Sequence, residues 1–169
     1  MGRLAAKKSY KDFRGIVMLN KFMKLAIEEA QKGIRNGHGG PFGAVIVKDG
    51  EVISTGHNHV VINNDPTCHG EIDAIRKACA KLGTFDLSGC EIYTSAYPCP
   101  MCFGAILWAN IEKVYYGCNT NDSEIIGFRD KAFEDSIPEK KITMCNELDR
   151  EECLKVFEEY KNIIDKTNY

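Results

Sequence analysis

His69, Glu71, Cys99 and Cys102 are the residues of this chain whose types and spacing could do chemistry. The two cysteines close the stretch "TSAYPCPMC" at positions 94–102, with Pro98 and Pro100 beside them. Alone, such a CxxC pair suits a redox couple, half of a structural zinc site, or two ligands of a catalytic metal. No second CxxC occurs in the 169 residues, and "HGE" at 69–71 adds an imidazole and a carboxylate. One nitrogen and two sulfurs leave a fourth zinc position open for water, which is the catalytic arrangement. Zinc lowers the pKa of that water to about 7. A carboxylate two residues from the histidine can reach the water without binding the metal, so Glu71 is the candidate general acid/base.

These residues need elements to bring them together. Apolar residues recur at helical spacing from Val17 to Asn36, with Gly37 as the stop. "AVIVK", Asp49-Gly50 and "EVIST" read as an antiparallel hairpin. A second helix is expected from Pro66 to about Leu82, with Ile72, Ile75, Cys79 and Leu82 as its apolar stripe and Gly83 as its stop. "CEIYTSA" and "KVYYGC" read as strands around a third helix that starts at the prolines. "ITMC" is a candidate last strand, and Asp149 to Lys161 a final helix with Asp149 and Glu152 as a capping pair. Helix–strand alternation implies an α/β sheet with parallel neighbours and helices on its faces. His69 and Glu71 would then open the second helix and Cys99 and Cys102 the third, where helix N-termini favour thiolates.

Other residues are weaker candidates. His57 and His59 alternate on a predicted strand and share a face; His38 falls in a loop. Cys68, Cys79, Cys90, Cys118, Cys145 and Cys153 read as small core or surface residues. "GHGGPFG" at 37–43 follows a helix and has Phe42 where a dinucleotide fingerprint needs its third glycine. Net charge is −2, which gives no electrostatic reason to bind nucleic acid or an anionic membrane. No apolar run reaches membrane-spanning length and the N-terminus lacks a signal-peptide pattern. A cytoplasmic protein with reduced thiols is expected. Residues 1–15 carry five Lys/Arg against one Asp and read as a flexible basic arm ahead of one domain at 16–169.

H-x-E followed by P-C-x-x-C is the zinc deaminase signature, and the chain resembles the cytidine deaminase-like superfamily, specifically its guanine deaminase branch. The resemblance rests on "GGPFGAVIVKDG", "NDPTCHGEIDAIRKAC", "YTSAYPCPMCFGAILWA" and "GFRD", and covers about Phe22 to Asp130. It implies a three-layer α/β/α sandwich around a mixed five-stranded sheet. It implies one zinc per chain on His69, Cys99 and Cys102, with Glu71 as proton shuttle, and hydrolysis of guanine to xanthine and ammonia. It implies that Asp130 is a second catalytic acid, that Asn58 and Gly70 border the base, and that Phe42, Trp108, Phe128 and the terminal Tyr169 stack on it or close over it. It also implies a homodimer in which a C-terminal segment, 128–169, swaps between subunits. Two positions depart from the family pattern: Tyr97 stands where Glu is usual, and Gly70, where Ala is usual, implies a slightly roomier site.

The alternatives are a tRNA adenosine deaminase, a deaminase of another small base or nucleoside such as cytosine or guanosine, and a zinc-binding interaction protein with a decayed site. From Arg129 to Tyr169 there are eight Lys/Arg against eleven Asp/Glu, a poor grip for RNA. An intact Glu71 speaks against a merely structural zinc site.

Overall fold

A computed structural model of the chain describes residues 19–135 and 144–164. The expected basic arm, the end of the C-terminal segment and Tyr169 lie outside them. Five strands form one sheet in the order β2-β1-β3-β4-β5. The strands are β1 (Gly43–Lys48), β2 (Glu51–His57), β3 (Cys90–Ala96), β4 (Lys113–Cys118) and β5 (Met144–Glu147). The Asp49-Gly50 turn has positive φ at both residues (50° and 78°), which suits a hairpin turn, and β1 and β2 pair antiparallel. β1 and β3 are also antiparallel, while β3–β4 and β4–β5 are parallel, so the sheet is mixed.

Helices cover both faces. α1 (Lys21–Arg35) and α7 (Arg150–Lys161) share one core with Val45, Val47 and Tyr93. α3 (Gly70–Leu82) and α4 (Pro100–Trp108) face the other side, over Ala44, Ile46, Ile92 and Val114. Successive β1 residues thus feed opposite cores, the period-two signature of a sheet buried on both faces. α2 (Val60–Asn63), α5 (Thr120–Ile125) and α6 (Asp130–Asp135) are short connectors.

Several boundaries differ from expectation. Pro66 sits in a turn, and α3 starts later, with His69 as its N-cap. The face of α3 that meets the sheet is Ala74 and Ala78, not the larger stripe; Ile72, Ile75 and Cys79 are half-buried and Leu82 is exposed. The cause is close approach: a Cβ on Gly56 of β2 would stand 2.5 Å from Ala74 N, so only small side chains fit there. Asp149 does not cap α7 with its side chain; its carboxylate accepts from Asn20 N at 2.8 Å and ties α7 to the start of α1.

Candidate active site

The strand register places the pocket at one end of the strands. Gly43 pairs with His57 and Ala44 with Thr94, so the start of β1 adjoins the ends of β2 and β3. Chain turns leave the sheet there, at the carboxyl ends of the parallel strands, the usual place for a site in an α/β sheet. Phe42 precedes β1, Asn58 follows β2, and Tyr97 and Cys99 follow β3. The turns are locked to one another. Gly43 N donates to Ser95 Oγ at 3.0 Å, the Ser95 hydroxyl donates to Pro41 O at 3.3 Å, and Asn58 N donates to Phe42 O at 2.9 Å. The Asn58 side-chain oxygen accepts from Gly40 N (3.3 Å) and Val60 N (3.1 Å), which fixes its rotamer.

His69 is the N-cap of α3 and Cys99 the N-cap of α4, with Pro100 at the first helical position. His69 Nδ1 and Cys99 Sγ are 3.6 Å apart, and one ligand atom from each of His69, Cys99 and Cys102 lies within 4.8 Å of the other two. Two thiols here compete for one proton. The hydrogen bond from Cys102, with His69 behind it, draws Cys99 down to about 4. The same bond, together with burial, pushes Cys102 well above the ordinary thiol range. A dication held by two thiolates and an imidazole relieves that competition, so the donor set fits zinc.

Two acids line the same pocket. Burial, with the Cys99 charge second, raises Glu71 to about 7; the residue is only 6% exposed. Burial and then the Cys99 charge raise Asp130, at the start of α6, to about 6. A carboxyl poised near neutrality can both accept and deliver a proton. Phe42, Asn58, His69, Tyr97, Cys99 and Phe128 complete the lining. Phe42 and Phe128 meet edge to face with ring centres 4.8 Å apart, and Phe157 of α7 supports Phe42 at 5.7 Å. Tyr97 stands T-shaped against Tyr116 at 4.9 Å, so its ring forms part of the wall.

Of the residues expected at the site, the structure brings His69, Glu71, Cys99, Cys102, Asn58, Phe42, Phe128 and Asp130 together. Trp108 does not join them. It is the last residue of α4, 87% exposed and outside the pocket lining. Nine residues of helix carry it about 13 Å along the axis from Cys99. Gly70 is buried at the first position of α3 but gives no extra room, because a Cβ there would stand 2.8 Å from Phe42 O. The expected roomier site is therefore corrected: the main chain of Phe42 and Gly43 fills the space beside Gly70. His57 and His59 do not share a strand face: His57 ends β2 and His59 caps α2. With His38 they form a cluster that no spacing in the sequence reveals, since 19 positions and a hairpin separate His38 from His57.

A family model described as the cytidine and deoxycytidylate deaminase zinc-binding region matches residues 17–118. The chain is 43% identical to guanine deaminase of Bacillus subtilis over 157 residues, covering 88% of this chain and 97% of that protein. It is 46% identical to the tRNA-specific adenosine deaminase of Aquifex aeolicus over 95 residues, covering 56% and 62%. Among solved structures, guanine deaminase of B. subtilis matches with a TM-score of 0.66 at 41% identity, covering 89% of this chain and 99% of that one. Guanine deaminase of Nitrosomonas europaea matches with a TM-score of 0.74 at 29% identity, covering 86% and 87%.

Proposed function

The chain belongs to the cytidine and deoxycytidylate deaminase family, and on that premise we propose that it hydrolyses guanine to xanthine and ammonia. The observation that carries the reading is the meeting of Glu71 and Asp130, both with raised pKa, with Phe42, Asn58 and Phe128 in one pocket beside the His69–Cys99–Cys102 donor set. The similarity to guanine deaminase also runs nearly the full length of both chains.

His69, Cys99 and Cys102 would hold the zinc, which supplies Lewis acidity that makes water nucleophilic at neutral pH. Glu71 takes a proton from the attacking water as its oxygen bonds to the amino-bearing ring carbon. It delivers a proton to the adjacent ring nitrogen. Glu71 then takes the remaining proton from the new hydroxyl, which becomes the carbonyl, and passes it to the amine as the carbon–nitrogen bond breaks, so that the amine leaves as ammonia. Asp130 faces that amine as a second acid. The Phe42 and Phe128 rings bind the flat base and exclude water, while Asn58, held by two backbone donors, orients it.

One zinc per chain, a cytoplasmic location and a place in purine breakdown accompany this reading; no helix among the described residues is long and apolar enough to cross a membrane. A homodimer is part of it, with Tyr169 closing the partner's pocket. The described part of the 128–169 segment supports its own chain's site, through Phe128, Asp130 and Phe157. Deletion of the residues after Ile164 should raise KM or abolish turnover and leave the zinc bound; unchanged kinetics would remove Tyr169 from the site.

The test is to incubate zinc-loaded protein with guanine, guanosine, adenine, cytosine, cytidine and tRNA and to follow ammonia. Guanine should turn over fastest. Turnover of tRNA or cytosine alone would overturn the assignment.

A further inference from the structure

The chain's other three histidines meet outside the pocket lining, two of them flanking Asn58 in the chain. His38 lies in the turn after α1, His57 ends β2 and His59 caps α2. One ring nitrogen of each lies within 4.8 Å of one from each of the others. His38 Nδ1 and His57 Nε2 are 2.9 Å apart, and the His57 and His59 ring centres 4.1 Å apart. The backbone makes room for this: a Cβ on Gly33 would stand 2.8 Å from His57 Cδ2.

With neutral rings, the hydrogen-bond partners assign the lone pairs as follows. His57 Nδ1 donates to Glu29 Oε2 at 2.7 Å, so its Nε2 carries the lone pair turned toward His38. His59 Nδ1 donates to the His57 carbonyl at 2.8 Å, so its lone pair is on Nε2. A carboxylate or carbonyl behind a ring N–H is the usual support of a metal-bound histidine, because it fixes the tautomer and orients the ring.

We propose that His38, His57 and His59 form a second metal site, for a first-row transition dication such as Zn²⁺, Co²⁺ or Ni²⁺, separate from the His69–Cys99–Cys102 centre. An all-imidazole donor set selects these ions over Mg²⁺ and Ca²⁺, which prefer oxygen. Two nitrogens each about 2.1 Å from one tetrahedral ion sit about 3.4 Å apart, so His38 and His57 need to part only slightly. The three rings lie stacked, with interplanar angles of 18°, 27° and 26°, so binding needs them to turn about their soft χ2 torsions until the lone pairs converge on the ion, at some cost in the alignment of the ring N–H bonds. His38 moves its proton from Nδ1 to Nε2, and the cluster loses no net proton. His57 is 3% exposed, while His38 and His59 are half-buried, so the ion can enter from solvent on their side. Asp73 Oδ2, 3.7 Å from His59 Nδ1 and paired with Lys77, adds negative charge nearby. His57 and His59 bracket Asn58, so an ion here would stiffen the turn that holds this pocket residue.

The site is tested on full-length, tag-free protein, stripped of metal and titrated with Co²⁺ and with Zn²⁺. Bound metal is counted by elemental analysis after removal of free ion. The wild type should take two ions per chain. The His38→Gln/His59→Gln double variant, which keeps buried His57, should take one. The thiolate-to-cobalt charge-transfer band, which reports Cys99 and Cys102 alone, should be equal in both. Saturation of the wild type at one ion, or a second ion retained by the double variant, would overturn the proposal. Loss of the charge-transfer band in the wild type would instead count against the thiolate centre, so the two sites are read separately.

Discussion

Glu71 and Gly70 are adjacent on α3, the proposed role of the first being chemical and the place of the second steric. Glu71 is buried and outside the metal donor set, so replacing it should spare the ion. Glu71→Gln should keep the zinc content and charge-transfer spectrum and lower kcat by about 10²–10⁴-fold, the usual contribution of a positioned acid/base. Metal analysis alongside ammonia release checks both halves. A Cβ at Gly70, as in Gly70→Ala, would press within 2.8 Å of Phe42 O and 3.4 Å of Gly43 Cα. It should destabilise by about 1–3 kcal/mol and raise KM, since Phe42 and Glu71 both line the pocket. Thermal melts and kinetics would show it; a neutral Tm would mean that α3 yields more easily than its packing implies. At this scale the meeting of His69, Cys99 and Cys102 beside Glu71 was legible in the sequence, because the chemistry expected of them needs those residue types at those spacings. Trp108 was misread, and the His38 cluster was invisible, because each depends on where an element ends in space.

Elements here touch backbone to backbone at glycines, and that makes two glycines opposite in their predicted effects. A Cβ on Gly43 of β1 would stand 2.2 Å from Ala26 O and 2.6 Å from Ala30 N, so α1 lies directly on the strand. Main chain cannot swing aside as a side chain does. Gly43→Ala should cost about 3 kcal/mol or more, the upper range for overpacking, read as a lower urea midpoint. Gly104 lies inside α4, and a Cβ there meets nothing within 4 Å. Gly104→Ala should stabilise by about 0.5–1 kcal/mol through helix propensity. The same close approaches explain which elements the sequence revealed. β1, β3 and β4 were plain as apolar runs between turn residues, and Gly83 stopped α3 as expected, at φ 67°. The buried face of α3 was not plain, because propensity ranks Ile and Leu above Ala for burial, whereas tight contact with β2 admits only Ala74 and Ala78. α2, with four residues, and β5, also with four, are too short to show a period.

The whole molecule meets at the His69–Cys99–Cys102 group, because His69 and Cys99 cap α3 and α4, while the pocket's aromatic wall reaches across the end of the sheet to α7. Two helix N-termini converge on the His69–Cys99–Cys102 group, each favouring negative charge. With an ion bound, both thiolates are neutralised in place and the two helix starts are cross-linked. Without it, Cys99 is pulled down to about 4 while Cys102 is driven up, so one thiolate and one thiol share the gap. Removing the ion should therefore loosen the α3–α4 layer rather than the α1–α7 layer. An ion present at a thousand times its dissociation constant stabilises the native state by about 4 kcal/mol. For a domain of this size each kcal/mol moves Tm by roughly 2–4 °C, so chelation should lower Tm by about 8–16 °C. The measurement belongs on the His38→Gln/His59→Gln background, where only the thiolate centre can respond. Readdition of Zn²⁺ should restore the melt, and amide exchange in the chelated protein should quicken first in α3 and α4. A chelated protein with unchanged Tm and unchanged exchange in those two helices would show that the ion serves the chemistry alone and that the surrounding packing holds the site without it.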